Sequence, residues 1–276
     1  MVKHGVRINS IESDPLVTMD FTHSGPDGDQ RVGTLPIVTA FASFPPGPLD
    51  ALILTAGLRG VRGVPEVRPV CPLGVAVAIW LETMSSAGSL PSCKRTGVIL
   101  AGGFNSNESH QYDDEVGIAT AVWYAFSRRW KWVAGVAGEG DSAVPDQYDQ
   151  ESSDHKGTFL LDGRAVDLDS LRIGGIGGIL DDGSNPDSRS GAAHFRTLSG
   201  LAGIGVDLLV LHESPHGGRD GRPGSAAIRD LLENLPPMLV ICGHDCWDSP
   251  MVTLDNGTQI LNVAGRVVVL RRQDPD

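Results

Sequence analysis

Short apolar runs alternate with longer amphipathic segments along most of the chain. Apolar runs of this length, bounded by turn residues, are typical of buried strands, and longer segments with Pro or Ser at their start are typical of helices. The predicted strands cover residues 37–41, 50–55, 97–101, 131–137, 159–161, 171–179, 207–211, 238–242, 251–254, 259–263 and 266–270. The predicted helices cover residues 72–84, 116–129 and 225–235. This alternation predicts an α/β fold with a mostly parallel sheet and helices on its faces.

The polar start of the chain differs from the rest. Residues 1–34 are rich in Asp, Gly and Ser and contain one short predicted strand at residues 5–11. We interpret them as an N-terminal extension and residues 35–272 as a single domain, since a chain of 276 residues can bury one α/β core. The glycine-rich run at 174–178 follows a strand but begins no helix, so we predict a closely packed strand there rather than a phosphate-binding loop.

The charge of the chain restricts its partners. A formal net charge of −12, with no basic run, disfavours binding to nucleic acid and to anionic membrane surfaces. No stretch approaches the roughly 20 apolar residues of a membrane span, and the start lacks the apolar core of a signal peptide. Four irregularly spaced cysteines are typical of reduced thiols. We therefore expect a cytoplasmic protein.

Two of the predicted strands are each followed by a histidine. His212 comes directly after residues 207–211, and His244 follows residues 238–242 by one glycine. The carboxyl ends of neighbouring parallel strands lie at one edge of a sheet, where open α/β sheets bind their ligands. We therefore predict that both imidazoles lie close together at that edge.

The residues around these histidines resemble two motifs of the calcineurin-like metallophosphoesterases. His212-Glu213-Ser214-Pro215 resembles the strand-His-x-x-Pro motif, and Gly243-His244-Asp245-Cys246 resembles the strand-Gly-His-x-His motif. The resemblance extends over roughly residues 50–270. It implies a four-layer α/β/β/α sandwich with a two-metal centre at the strand ends.

Other positions of this motif pattern carry different residues. Gly57 and Arg59 stand where the family has Asp-x-His, and Gly103 stands where it has the Asp that bridges the metals. Gly140 replaces the His that protonates the leaving group, and Cys246 replaces the last His. Glycine offers no ligand atom, and arginine stays cationic. Two-metal hydrolysis needs both ions clamped together, so we assign no catalytic residue.

Three metal donors remain in the implied ligand set. Glu139, His212 and His244 form a two-His-one-carboxylate group, with Cys246 close to it in sequence, which suits a residual mononuclear site for one zinc or iron ion. Alternatively, both histidines hydrogen-bond within the cleft, Glu139 is a solvated loop carboxylate and Cys246 is a packed thiol. We interpret Asp141 as a carboxylate that hydrogen-bonds its own loop.

These observations leave three functional hypotheses. The first is a binding pseudoenzyme without a cofactor that takes a peptide or protein partner and assists a biosynthetic pathway, with the cleft lined by Arg59, Glu139, Asp141, His212 and His244. Arg59 then favours an anionic or polar group of the ligand. The second is a mononuclear metalloenzyme, a hydrolase or oxygenase, that uses Glu139, His212 and His244. The third, an active phosphodiesterase, requires a different alignment of the motifs.

Overall fold

A computed structural model describes residues 5–25, 27–63, 70–105, 117–141, 157–180, 188–189, 191–218 and 221–273. Within these ranges two large β-sheets carry helices on their faces, which confirms the predicted mixed α/β class. The first residue of the predicted helix at 116–129 lies outside the described ranges. Of the helices inside them, none is both long enough and apolar enough to cross a membrane.

The first sheet has ten strands. They are β1 (Arg7–Ile11), β2 (Val17–Ser24), β3 (Gln30–Ser43), β4 (Ala51–Ala56), β5 (Val61–Arg62), β6 (Cys71–Pro72), β7 (Thr96–Leu100), β8 (Trp132–Gly135), β9 (Thr158–Leu160) and β18 (Arg266–Arg272). Their order is β6-β5-β2-β3-β18-β4-β7-β8-β9, with β1 paired to β3. Strands β4, β7, β8 and β9 run parallel, while β18 is antiparallel to β4 and parallel to β3. Helices α1 (Leu73–Ser86) and α2 (Ile118–Ser127) make the parallel crossovers.

The second sheet has six strands. They are β10 (Ala165–Leu168), β11 (Leu171–Ile176), β14 (Leu208–Leu211), β15 (Leu239–Cys242), β16 (Met251–Thr253) and β17 (Gln259–Asn262). Strands β11, β14, β15 and β17 are parallel, and β10 and β16 are antiparallel edge strands. Two short strands, β12 (Ile179–Leu180) and β13 (Ser188–Arg189), pair separately. Helices α3 (Gly191–Gly203) and α4 (Ala226–Glu233) follow β13 and β14, and the Ser225 hydroxyl accepts a hydrogen bond from Ile228 N at the start of α4.

The central strands of both sheets are buried on both faces. In β4, Leu52 and Leu54 pack in the core between the two sheets, whereas Ile53 packs against α1 and α2. In β14, Val210 packs between the sheets and Leu209 packs against α3 and α4. Because neither face meets water, these strands are nearly continuous apolar runs, and this explains why the sequence predicts them.

The structure corrects the prediction where the chain is polar. Strand β2 pairs with β3 over its whole length, from Val17 opposite Ile37 to Ser24 opposite Gln30, and β1 also pairs with β3. The first sheet therefore includes strands of the predicted N-terminal extension and does not begin at residue 37. The sequence does not predict helix α3, because its three glycines disfavour a helix. In the structure, packing of buried residues such as Leu198 and Leu201 against the sheet stabilises it.

Candidate functional site

The loops that follow the parallel strands of both sheets meet at one edge of the molecule. Gly57, after β4, donates its N–H to Gly102 O after β7 at 2.9 Å. Gly243, after β15, donates to the backbone oxygen of His212, after β14, at 3.2 Å. The two sheets are joined at this edge by the 2.8 Å hydrogen bond between His212 Nδ1 and Ala101 O. We call this edge the cleft.

The two predicted histidines lie side by side in the cleft. The ring centroids of His212 and His244 are 5.3 Å apart, and the ring planes meet at 73°. His212 is only 1% exposed, whereas His244 is exposed and stands on a turn with a positive φ of 60°. The prediction that these imidazoles occupy the same edge is confirmed.

One nitrogen of the His212 ring has a hydrogen-bond partner, and the other has none among the described residues. Burial lowers the pKa of His212 below its usual value, although the hydrogen bond to Ala101 O and the charge of Asp141 act in the opposite direction. The neutral ring therefore donates its Nδ1–H to that carbonyl. Nε2 then carries a lone pair, and it is buried without a hydrogen-bond partner among the described residues. Such a nitrogen can accept a proton, a hydrogen bond or a metal ion.

Glycines make room for the His212 ring. A Cβ on Gly138 would lie 2.6 Å from His212 Cε1, and a Cβ on Gly103 would lie 3.3 Å from the same atom. The first distance is shorter than real side chains allow, so the ring packs directly on the main chain after β7 and β8. The imidazole thus occupies the space that side chains at these two positions would need.

Asp141 is buried and saturated by backbone donors. Its Oδ2 accepts hydrogen bonds from Gly103 N at 2.7 Å and Gly138 N at 2.9 Å. Its Oδ1 accepts from Phe104 N at 3.0 Å and Asn105 N at 3.1 Å. The prediction that Asp141 hydrogen-bonds its own loop is confirmed, and the same carboxylate also holds the loop after β7. Both oxygens accept hydrogen bonds from the main chain, so Asp141 holds the loops of the cleft in place and does not face a ligand.

Sequence reasoning missed a buried asparagine beneath the turn that carries His244. Asn262, at the end of β17, donates through Nδ2 to Ser214 Oγ at 2.9 Å and to Asp245 O at 2.7 Å. Its Oδ1 accepts from Ala264 N at 3.2 Å, and Ser214 Oγ donates to Gly243 O. This network joins the ends of β14, β15 and β17. The signal in the sequence is a carboxamide that directly follows the apolar pair Ile260-Leu261 at the end of the strand.

The remaining predicted residues lie around the rim of the cleft. Arg59 is exposed, and its Nε donates to Gly103 O at 3.3 Å. Glu139 is half-buried. Cys246 is exposed, so its interpretation as a packed thiol is wrong, although partial burial of the sulfur raises the pKa of the thiol. In the part of the chain that the structure describes, no three His, Cys, Asp or Glu side chains are grouped to hold a metal ion.

Comparison with known proteins adds no assignment. No protein-family model matches the chain, and no curated protein matches its sequence.

Proposed function

We propose that the chain is a catalytically degenerate metallophosphoesterase-like protein with the α/β/β/α sandwich of the calcineurin-like family, and that it acts by binding a peptide or protein. The core between two sheets and the helices on their outer faces support this assignment. So do His212 and His244, which follow neighbouring parallel strands. The net charge of −12 argues against nucleic acid or anionic lipid as the partner.

The observation that carries the proposal is the state of Asp141. This carboxylate accepts four backbone hydrogen bonds and is 0% exposed, so it is neither a metal ligand nor an acid for a leaving group. At the positions where the family has its acidic metal ligands and its leaving-group acid, the chain has Gly57, Gly103 and Gly140. On this proposal, the cleft has both histidines but lacks the carboxylates that would hold two metal ions together.

A phosphodiesterase assay tests this proposal. With Mn²⁺ and a generic phosphodiester, we expect the chain to turn over no faster than its His212→Ala variant, with His23→Ala on β2 as a matched control outside the cleft. A turnover near 1 per second that His212→Ala abolishes and His23→Ala retains would contradict degeneracy.

A second candidate is favoured by the His212 hydrogen bonds. Metal-binding histidines commonly donate one ring N–H to a backbone carbonyl and bind the metal through the other nitrogen. His212 donates to Ala101 O and leaves Nε2 without a partner among described residues, so this ring fits one zinc or iron ion together with His244. Glu139 and Cys246, the additional donors expected for a mononuclear hydrolase or oxygenase, are not grouped with these histidines in the described part of the chain, so a metal ion would need them to move or water to complete its ligands.

Metal content separates the two candidates. If the protein is purified without chelator, the metalloenzyme requires about one zinc or iron ion per chain, lost in both His212→Ala and His244→Ala. A metal content equal to that of His212→Ala supports the binding protein.

A further inference from the structure

The two helices on the outer side of the first sheet carry almost no charge. Helix α1 contains one charged residue, Glu82, and helix α2 contains none. Helix α4, on the second sheet, contains Arg229, Asp230 and Glu233 within eight residues. A helix that covers a sheet in water has a polar outer side, and a helix that is apolar all round is covered by something else. Helices α1 and α2 are therefore unusual for an outer layer.

The contacts between α1 and α2 determine which of their residues point away from the sheet. The two helices run parallel because they connect parallel strands, β4 to β7 and β7 to β8. A Cβ on Gly74 would lie 2.6 Å from Val122 Cγ2, and further along Glu82 Oε2 accepts from Arg129 Nε at 2.7 Å. Each residue turns a helix by about 100°. The positions one after the α1 contacts and one before the α2 contacts therefore point outward on the same side.

These outward positions form one apolar surface, which we call the helix face. It consists of Val75 and Ile79 on α1 and of Ala121 and Tyr124 on α2. Ile79 is 43% exposed and Tyr124 is 39% exposed, while Val75 and Ala121 are half-buried. Neighbouring apolar residues exposed across two packed helices are typical of a surface that binds another protein.

The charges beside the helix face are compensated within the chain. Glu82 pairs with Arg129, and the Arg128 guanidinium lies 5.3 Å from the centroid of the Tyr124 ring. Within α1 and α2 there is therefore no carboxylate without a counter-charge. Two chains of net charge −12 repel each other where their acidic surfaces meet, and this repulsion is reduced where two helix faces meet.

The size of the helix face suits a weak dimer. Helix α1 has 14 residues and is about 21 Å long, and two packed helices are about 20 Å wide. Each copy therefore contributes about 400 Å², and a pair buries about 800 Å² in total, which is below the size of stable interfaces. Interfaces of this size belong to transient complexes, so we expect a dissociation constant of about 10–100 µM.

We propose that the helix face binds the helix face of a second copy of this chain, in a reversible dimer with twofold symmetry. A twofold axis brings the same surface of both copies together, so the apolar residues of one copy cover those of the other. This inference goes beyond the proposed function and does not rest on it. The cleft lies at the strand ends, whereas the helix face lies on the outer side of the first sheet.

Sedimentation equilibrium at roughly 1–200 µM protein, which brackets the expected dissociation constant, tests the dimer. We expect Ile79→Glu and Tyr124→Glu each to raise the dissociation constant about tenfold or more, because each buries a carboxylate without a counter-charge. Val32→Glu on β3 is the matched control. Val32 is 77% exposed and lies outside the helix face, so this variant should dimerise like the parent chain.

The dependence on salt separates an apolar interface from an ionic one. Raising the NaCl concentration from about 0.05 M to about 0.5 M screens the repulsion between two acidic chains, so we expect the dissociation constant to fall. Ion pairs between the copies would be weakened by the same change. A dissociation constant that rises with salt would therefore contradict the apolar helix face.

Two further results would overturn the proposal: a parent chain that stays monomeric at the highest concentration, or a dimer that Val32→Glu weakens and Ile79→Glu does not. Circular dichroism verifies that each variant folds. Ile79→Ser, which shortens the same side chain without adding charge, replaces Ile79→Glu if that variant does not fold. Loss of the dimer leaves the phosphodiesterase test of the cleft unchanged, and phosphodiester turnover would reject the proposed function without changing the dimer.

Discussion

Replacing Asp141 by Asn perturbs the residue on which the cleft is built. Each carboxylate oxygen accepts two backbone N–H bonds: Oδ2 from Gly103 and Gly138, and Oδ1 from Phe104 and Asn105. In either orientation, the Asn side chain presents an NH₂ group to two of these donors. Two buried N–H groups then face a donor and lose their acceptor.

The expected cost follows from those two lost acceptors. A buried donor left without a partner costs about 1–3 kcal/mol, so two of them reduce the free energy of unfolding by about 2–6 kcal/mol. The carboxylate is fully buried, so water cannot take the place of the lost acceptor. The damage should concentrate in the loops after β7 and β8 because all four donors lie there.

Urea denaturation of Asp141→Asn and the parent chain measures this difference. Asp230→Asn, at an exposed position of α4, is the matched control and should change the free energy of unfolding by less than about 0.5 kcal/mol. A loss below about 1 kcal/mol in Asp141→Asn would refute the view that its four hydrogen bonds hold the cleft together.

Three further predictions concern stability and reactivity. Burial lowers the pKa of His212, so as the pH falls below about 6.5 this histidine takes up a proton in the unfolded chain before it does so in the folded chain. The free energy of unfolding should therefore fall by up to about 1.4 kcal/mol per pH unit in that range. His212→Gln should remove this pH dependence in denaturation curves measured at about pH 7 and pH 5. Gly97→Ala should lower the free energy of unfolding by about 1–3 kcal/mol because its Cβ would lie 2.3 Å from the Trp132 ring. Gly200→Ala, whose Cβ meets open space on α3, should raise the free energy of unfolding by about 0.5–1 kcal/mol. Thermal unfolding of both variants measures these changes, and equal effects would contradict the tight packing at Gly97. Burial raises the pKa of Cys242 to about 12, so this thiol should resist alkylation at about pH 8 until the chain unfolds; mass spectrometry of the native protein would contradict this if Cys242 were labelled.

The apolar pattern predicts the strands that build the site. Strands such as β4, β14 and β15 are buried on both faces, so their sequences are nearly all apolar and are recognisable without a structure. Because parallel strands end at one edge, the same pattern also predicts that His212 and His244 meet. Strand β2 and helix α3 are not predictable in this way, because β2 depends on main-chain pairing with β3 and α3 on packing of a few apolar residues against the sheet.

The chemistry of the cleft depends on contacts between residues far apart in sequence. Asp141 meets its donors Gly103 and Phe104 across 38 and 37 positions, and His212 meets Ala101 O across 111 positions. The alternation of apolar and polar segments in the sequence predicts where each strand ends and therefore which residues lie at the strand ends. Whether a carboxylate faces a ligand or the main chain is decided by backbone donors that folding brings to it, and these have no local signature.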